Sequence, residues 1–307
     1  MKFYMAPLEG ITTYVYRGIH HDKFPGLDKY FTPFVSPTSN HDFKSREKRD
    51  VVPEHNQGIP VVPQILSNHA DEFLYTADRL IEYGYQEINL NLGCPSGTVV
   101  GKGRGAGFLT DPDGLDRFLA ELFEHITVPL SIKTRIGRYD ASEFRKILSV
   151  YNRYPIHELT IHPRVGKDFY RGKPDLDTFE GALERSVNPV CYNGDINTAE
   201  DYERFCERFP TVERIMIGRG LIANPGLVRE LQTGEVMTWE ERLQYAAALQ
   251  HAYQEIMPET PVLFKMKDLW SYMATAHPDS ARLWKRIKKT RRLSEYENVL
   301  RTTIDIP

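Results

Sequence analysis

The residue types best suited to chemistry gather around Cys94. The run Ile88-Asn89-Leu90-Asn91-Leu92 alternates apolar and amide side chains, the period-two pattern of a strand with one apolar and one polar face, and Gly93-Cys94-Pro95 must end it. A single thiol therefore sits just past a strand tip, on a loop where it has no packing duty. Amides aimed at a protein interior are costly unless bonded to each other or to a ligand, so the Asn face marks a candidate site. A thiol with a pKa near ~8.5 is mostly protonated at neutral pH and can donate its proton as a general acid. Cys191, within an apolar run, and Cys206, within a helical segment, read as small core residues.

Other reactive or charged side chains recur at the ends of apolar runs. Pro7, Leu8 and Glu9 follow the first run, Gln64 ends the third, and Lys133 and Arg135 end the fifth. His162 and Arg164 follow the sixth, Asn193-Gly194-Asp195 the seventh, and Gly218-Arg219-Gly220 the eighth. Either glycine turn alone is explained as a tight connection. Two together, with Arg219 able to add a charge-assisted contact and His162 and Lys133 one and two runs earlier, favour a phosphorylated cofactor. Asp195 suits an ion pair with a neighbouring cation at least as well as catalysis. No second His, Asp or Glu stands at metal-ligand spacing from His162, so no metal site is expected.

Glycines crowd the stretch from Gly97 to Gly107, but the spacing is not that of a Walker loop, and no Ser or Thr follows Lys102. Gly101-x-Gly103-x-x-Ala106 matches a dinucleotide fingerprint in form but follows a loop instead of a strand. We expect a mobile flap that carries Lys102 and Arg104 over the site, with Cys94 near its hinge.

The elements that must position these residues alternate. Strands are predicted over 3–6, 30–35, 61–65, 87–92, 130–134, 158–162, 190–192 and 214–217, with helices such as 71–83, 113–125, 142–154 and 198–208 between them. Eight such units in about 230 residues predict a (β/α)8 TIM barrel, in which function collects at the C-terminal ends of the strands. A doubly wound sheet is the alternative, but the first strand lacks a glycine fingerprint after it. Past Gly234 the pattern is helical only. Thr238 and Glu241 have capping-box spacing, and helices are predicted over 262–275, 280–291 and 295–302 after Pro258 and Pro261. The chain thus divides into a barrel over 1–235 and a small all-helical domain over 236–307.

Composition is that of an ordinary globular protein, 41% hydrophobic and 26% charged over 307 residues. Three cysteines without C-x-x-C spacing argue against a disulfide framework and a structural zinc site. The start lacks a signal-peptide run and no window approaches a spanning helix, so a cytoplasmic location with no membrane partner is expected. Net charge is −3, but the region from Thr238 onward carries 11 Lys/Arg against 9 Asp/Glu, leaving 28 against 33 elsewhere. Within it Arg282, Lys285, Arg286, Lys288, Lys289, Arg291 and Arg292 occur with no acidic residue between them. That block is either a solvated helical face or a field suited to phosphates.

In order along the chain, Met5-Ala6-Pro7-Leu8-Glu9-Gly10, Asn91-Leu-Gly-Cys-Pro95, Lys133-Thr-Arg135, His162-Pro-Arg164, Asn193-Gly-Asp195 and Gly218-Arg-Gly220 resemble the tRNA-dihydrouridine synthases. The resemblance spans residues 1 to about 230 and implies an FMN enzyme that takes hydride from NADPH and reduces the C5–C6 double bond of particular uridines in tRNA. It implies FMN contacts from Pro7, Leu8, Glu9, Gln64, Lys133, His162, Asn193, Gly194, Asp195, Gly218 and Arg219, and Cys94 as proton donor. Substrate contacts are expected from Asn91, Lys102, Arg104, Arg135 and Arg164, and from Lys288, Lys289, Arg291 and Arg292 in the tail. The chain departs from the family at Leu8, where Met is usual, and at Val165 and Asp168, although Tyr170 and Gly172 remain. A monomer is expected. Two other readings stay open: an FMN barrel acting on a free pyrimidine of the dihydroorotate type, and a non-catalytic RNA-binding barrel.

Overall fold

The computed structural model describes residues 1–38 and 42–302. Its strands are β1 (Lys2–Met5), β2 (Lys29–Phe31), β3 (Val61–Val62), β4 (Gln64–Ile65), β5 (Ile88–Leu92), β6 (Leu130–Arg135), β7 (Leu159–His162), β8 (Val190–Tyr192) and β9 (Arg214–Ile217). They pair in parallel in the order β3-β2-β1-β9-β8-β7-β6-β5-β4. The two ends of that sheet are halves of one strand, interrupted at Pro63, which has no N–H to give to a ladder. The sheet therefore closes, and the fold is an eight-unit (β/α) barrel with a C-terminal helical extension.

Pro33 explains why the second strand is shorter than its predicted 30–35. Beyond it, Val35 bridges to Ile65 in parallel. Between these points the Thr32 hydroxyl accepts a hydrogen bond from the Gln64 N–H (3.1 Å), a side chain standing where a carbonyl of the ladder would be. The barrel interior is unequal around its circumference. Tyr4, Ala6, Phe31, Val62, Cys191 and Met216 form an apolar cluster. On the other side the register aligns Gln64 with Asn89, Asn89 with Ser131, Asn91 with Lys133 and Arg135 with His162, which puts the polar faces of β4 to β7 side by side.

Helices cover the outside, and several are started by a capping side chain that the sequence provides. Asp111 accepts the Gly114 N–H at 2.9 Å ahead of Pro112–His125, and Thr198 accepts the Asp201 N–H ahead of Ala199–Arg208. The extension begins with the expected capping box, Thr238 with Glu241, on Trp239–Gln254. Glu241 is also held by both Nη atoms of Arg229 (2.8 and 3.0 Å), which ties the extension to the preceding helix Leu227–Thr233. The next helix starts at Glu259, earlier than the predicted 262, because Pro261 falls in its first turn, where no N–H is needed. Trp270 on that helix is fully buried and donates to the Tyr296 hydroxyl at 2.7 Å, fastening the last helix, Leu293–Arg301. Burying a ring of this size is worth roughly 2–3 kcal/mol. Among the described residues no helix is long and apolar enough to cross a membrane.

Candidate active site

The carboxyl ends of the strands surround a cavity of about 460 Å³. One wall is a file of buried amides with a fixed polarity. The N–H groups of Gly93 and Cys94 both donate to Asn91 Oδ1 (3.0 and 2.9 Å), so the Asn91 Nδ2 must point away, and it donates to Gln64 Oε1 (2.6 Å). Gln64 Nε2 then donates to Asn89 Oδ1 (2.7 Å), and Asn89 Nδ2 to Ser131 Oγ (2.9 Å). Backbone N–H groups can only donate, so the cysteine turn sets the direction of every amide in the file.

Behind Cys94 the glycine-rich segment is folded and not an open flap. It forms a short helix, Gly97–Val100, and a 3-10 turn, Gly105–Thr110. Ala106 N–H donates to the Cys94 carbonyl at 3.0 Å. Gly105 has φ +56, and a Cβ there would lie 2.7 Å from the same carbonyl, so the turn packs directly on the cysteine backbone. The thiol is half-buried, and burial pushes its pKa up, keeping it protonated; a Ser96 backbone contact and the neighbouring Arg135 and Lys133 oppose this more weakly.

Lys133 opens onto the cavity with no hydrogen-bond partner for its ammonium among the described residues. Burial first, and repulsion from Arg135 second, lower its pKa to about 7. Its neighbour two residues on is already engaged: Arg135 Nε donates to the Gly93 carbonyl (2.9 Å) and Nη1 to that of Val165 (3.0 Å). His162 is held well below its usual pKa by burial and by Arg135, Lys133 and Arg164, and is therefore neutral. Arg164 Nη1 can only donate to His162 Nε2 (3.3 Å), which leaves the ring proton on Nδ1, facing Asn193 Oδ1 (3.4 Å).

The glycine turns after β8 and β9 meet at the far wall. A Cβ on Gly220 would lie 2.2 Å from the Ile196 carbonyl, so the two loops are in contact because that side chain is missing. Asp195 bridges two cations there, Arg219 Nη2 at 2.6 Å and the guanidinium of Arg164 on both carboxylate oxygens. Tyr170 stands at the rim, with Arg135 and Arg219 over its ring at 5.4 and 5.0 Å.

All eleven residues expected at a cofactor lie on the cavity wall: Pro7, Leu8, Glu9, Gln64, Lys133, His162, Asn193, Gly194, Asp195, Gly218 and Arg219. Cys94, Asn91 and Arg135 join them. Seven expected substrate contacts do not. Arg164 is buried behind His162 and spent on Asp195 and the carbonyls of Arg171 and Gly172. Arg104 donates to Glu72 and Asn68, while Lys102 is exposed on the outer part of the folded segment. Lys288, Lys289, Arg291 and Arg292 lie off the cavity as well, exposed at the end of the helix Ser280–Lys289 and just past it. Phe34, Tyr170 and Tyr272 line the cavity without having been placed there from the sequence. Tyr170 was visible as a retained position of the resemblance. Tyr272 comes from the C-terminal extension, a packing that no local pattern signals.

A closed parallel barrel with a protonated thiol, an unpartnered amine and a neutral imidazole on one cavity at its carboxyl mouth is a (β/α)8 barrel of the enzyme type. The dihydrouridine synthase (Dus) family matches residues 4–304, and the chain belongs to that family of FMN-dependent barrels. It is 30% identical over 233 residues to tRNA-dihydrouridine synthase B of Pasteurella multocida (strain Pm70), covering 76% of this chain and 69% of that protein. To a probable tRNA-dihydrouridine synthase of Staphylococcus aureus (strain Mu50) it is 28% identical over 232 residues, covering 73% and 69%. Its fold is also similar to morphinone reductase in complex with tetrahydroNAD, with a TM-score of 0.54 at 11% identity over 77% of this chain and 88% of that one.

Proposed function

We propose that this protein reduces the C5–C6 double bond of particular uridines in tRNA to give dihydrouridine, with FMN in the cavity and NADPH as electron donor. The observation that carries this reading is the convergence of Cys94, Lys133 and the two glycine turns on one cavity. The cavity fits the cofactor. Its volume is within the usual ligand range, an unpartnered ammonium waits inside it, and paired glycine turns with an arginine suit a phosphate. Asn193, Gly194, Gly218 and Arg219 would hold the phosphate end, with Asp195 orienting Arg219. Pro7, Leu8, Glu9, Gln64, Lys133 and His162 would hold the ring.

When bound, FMN supplies the hydride, taken from NADPH and delivered to C6 of uracil. C6 is the β-carbon of an unsaturated carbonyl, so addition there drives charge onto C5 and the C4 oxygen. Cys94 is protonated and gives its Sγ proton to C5, a general-acid role worth typically 10²–10⁴-fold. Arg135, beside the cysteine turn, supplies positive charge for a uracil carbonyl. Lys133 would hold the ring and supply positive charge to it. A uridine inside folded tRNA must be turned out to reach this depth, which costs a few kcal/mol that phosphate contacts must offset. We assign those contacts to a helical tRNA-binding domain over 236–307 carrying Lys288, Lys289, Arg291 and Arg292, in a monomeric cytoplasmic enzyme.

The test is Cys94→Ala in the FMN-loaded protein. NADPH oxidation should persist while dihydrouridine formation in unmodified tRNA falls by about 10²–10⁴-fold. Unchanged tRNA turnover would remove the proton-donor role. Activity on free orotate or uridine but not on tRNA would replace the substrate.

A further inference from the structure

Beyond the cavity rim, two neighbouring loops carry large aromatic side chains that the fold leaves in water. The loop after β6 holds Tyr139, 56% exposed, and the loop after β7 holds Phe169, 43% exposed. Backbone hydrogen bonds lace the loops together, Gly166 N–H to the Gly137 carbonyl (2.9 Å) and Lys167 N–H to that of Arg138 (3.0 Å). Neither ring is waiting for a core partner. Arg138 lies over the Tyr139 ring at 5.2 Å, and Phe169 has no ring partner among the described residues.

Phe169 is also the one non-glycine residue with a positive φ among those described, +53, a conformation that L side chains avoid. Backbone strain of this kind persists where the surroundings impose it, and here it holds a phenyl group outward. The setting is mixed in charge, with a small positive excess. Lys167, Arg171, Lys173 and Arg138 stand against Asp168, Asp140 and Glu143, and Glu143 is spent on the N–H groups of Arg138, Tyr139 and Asp140; none of the four cations forms an ion pair among the described residues. Tyr170, next in the chain, lines the cavity, so the exposed rings begin where the cavity ends.

We propose that Tyr139 and Phe169 form a shelf on which unpaired nucleotides flanking the target base stack, while the loop cations meet their phosphates. The partner class, an RNA, is taken from the proposed function. The shelf adds that the RNA is read single-stranded on this side of the cavity. Aromatic faces accept any base, and flanking cations follow the backbone, which is how sequence-tolerant single-strand sites are built.

The experiment uses the full-length, FMN-loaded protein and its Tyr139→Ala and Phe169→Gly variants. Glycine at 169 accepts the positive φ, so the loop keeps its path. A labelled ten-nucleotide oligouridylate and a duplex RNA of equal length are titrated over a range of potassium chloride. Each substitution should weaken single-strand binding by about five- to 150-fold, the effect of losing one base–aromatic stack. The slope of log Kd against log salt should not change, because no charge was removed, and duplex binding should be unaltered. Kd values within twofold of the parent, an equal loss on duplex, or a parent that does not bind the oligonucleotide would overturn the shelf. Dihydrouridine formation in tRNA is scored separately. Turnover by the parent with unaffected variants would retire the shelf alone, and stacking without turnover would retire the proposed function alone.

Discussion

Asn91 is the residue whose removal tests the arrangement of the site most directly. In Asn91→Ala the Gly93 N–H and the Gln64 Oε1 lose their partners in buried surroundings, while the half-buried Cys94 N–H can turn to water. An unsatisfied buried group costs about 1–3 kcal/mol, so two cost roughly 2–6 kcal/mol. The cavity adjoins the vacated space and lets water in, which places the expected loss at the lower end, about 2–3 kcal/mol. For a chain of this size that is a fall in Tm of roughly 4–10 °C.

The cysteine turn would also lose its anchor, and a displacement of about 1 Å at a catalytic group can cost 10²-fold. Asn91→Asp separates the two effects. The carboxylate still accepts from the turn, and the file can reverse: Gln64 Nε2 to Asp, Asn89 Nδ2 to Gln64 Oε1, Ser131 hydroxyl to Asn89 Oδ1. The turn and the amide side chains keep partners, and only the long Ser131 hydroxyl contact to the Ile88 carbonyl (3.4 Å) is given up, so Asn91→Asp should keep more stability and more activity than Asn91→Ala. Thermal unfolding and single-turnover dihydrouridine formation, measured on FMN-loaded protein, give both numbers. If alanine and aspartate behave alike, or if alanine leaves turnover unchanged, the amide file does not position the thiol.

Three other outcomes are expected. Lys133 has a pKa lowered to about 7 from 10.5, so flavin-free protein binds fewer protons there than the unfolded chain between those values, and its stability should rise with pH across that window. Lys133→Met should accordingly unfold at a higher temperature than the parent at pH 6, with the gap closing above pH ~7; a gap independent of pH would contradict the burial of that charge. Arg219→Ala leaves Asp195 paired with Arg164, so the fold should survive while FMN binds about 10- to 150-fold more weakly, the worth of one charge-assisted hydrogen bond, in a fluorescence titration. An unaltered dissociation constant would take Arg219 out of the phosphate site. Replacing Lys288, Lys289, Arg291 and Arg292 by glutamine should raise the KM for tRNA and flatten its salt dependence by a slope of up to about 3; equal slopes would make that stretch ordinary surface.

The barrel was legible because short apolar runs recur with helical segments between them, three of them (β5, β6 and β7) alternating apolar and polar side chains, and the tip residues follow directly. Where the reading strayed, the cause was nonlocal or proline-specific. Pro33 and Pro63 look harmless inside apolar runs, yet each removes a ladder donor, so one strand shortens and another splits. Pro261 was taken as a break and instead sits in a first turn. The cations divided for a different reason. Spacing alone puts Arg135 and Arg164 on the same footing, each a cation two residues after a cavity residue. Arg164 turns back because Asp195, 31 residues away, claims it, and Arg104 because Glu72 does. A one-dimensional pattern names a side chain's face but not its competing partner.

The break at Pro63 has a mechanical meaning. Around most of its circumference the barrel is sewn by backbone bonds, but between β2 and the split strand one stitch is a threonine hydroxyl, that of Thr32. The chain on either side of that stitch carries Phe34 and Gln64 to the cavity wall. Backbone bonds resume on both sides of that stitch, Thr32 N–H to the Val62 carbonyl and Val35 N–H to that of Gln64, so the interruption turns side chains inward without opening the ring.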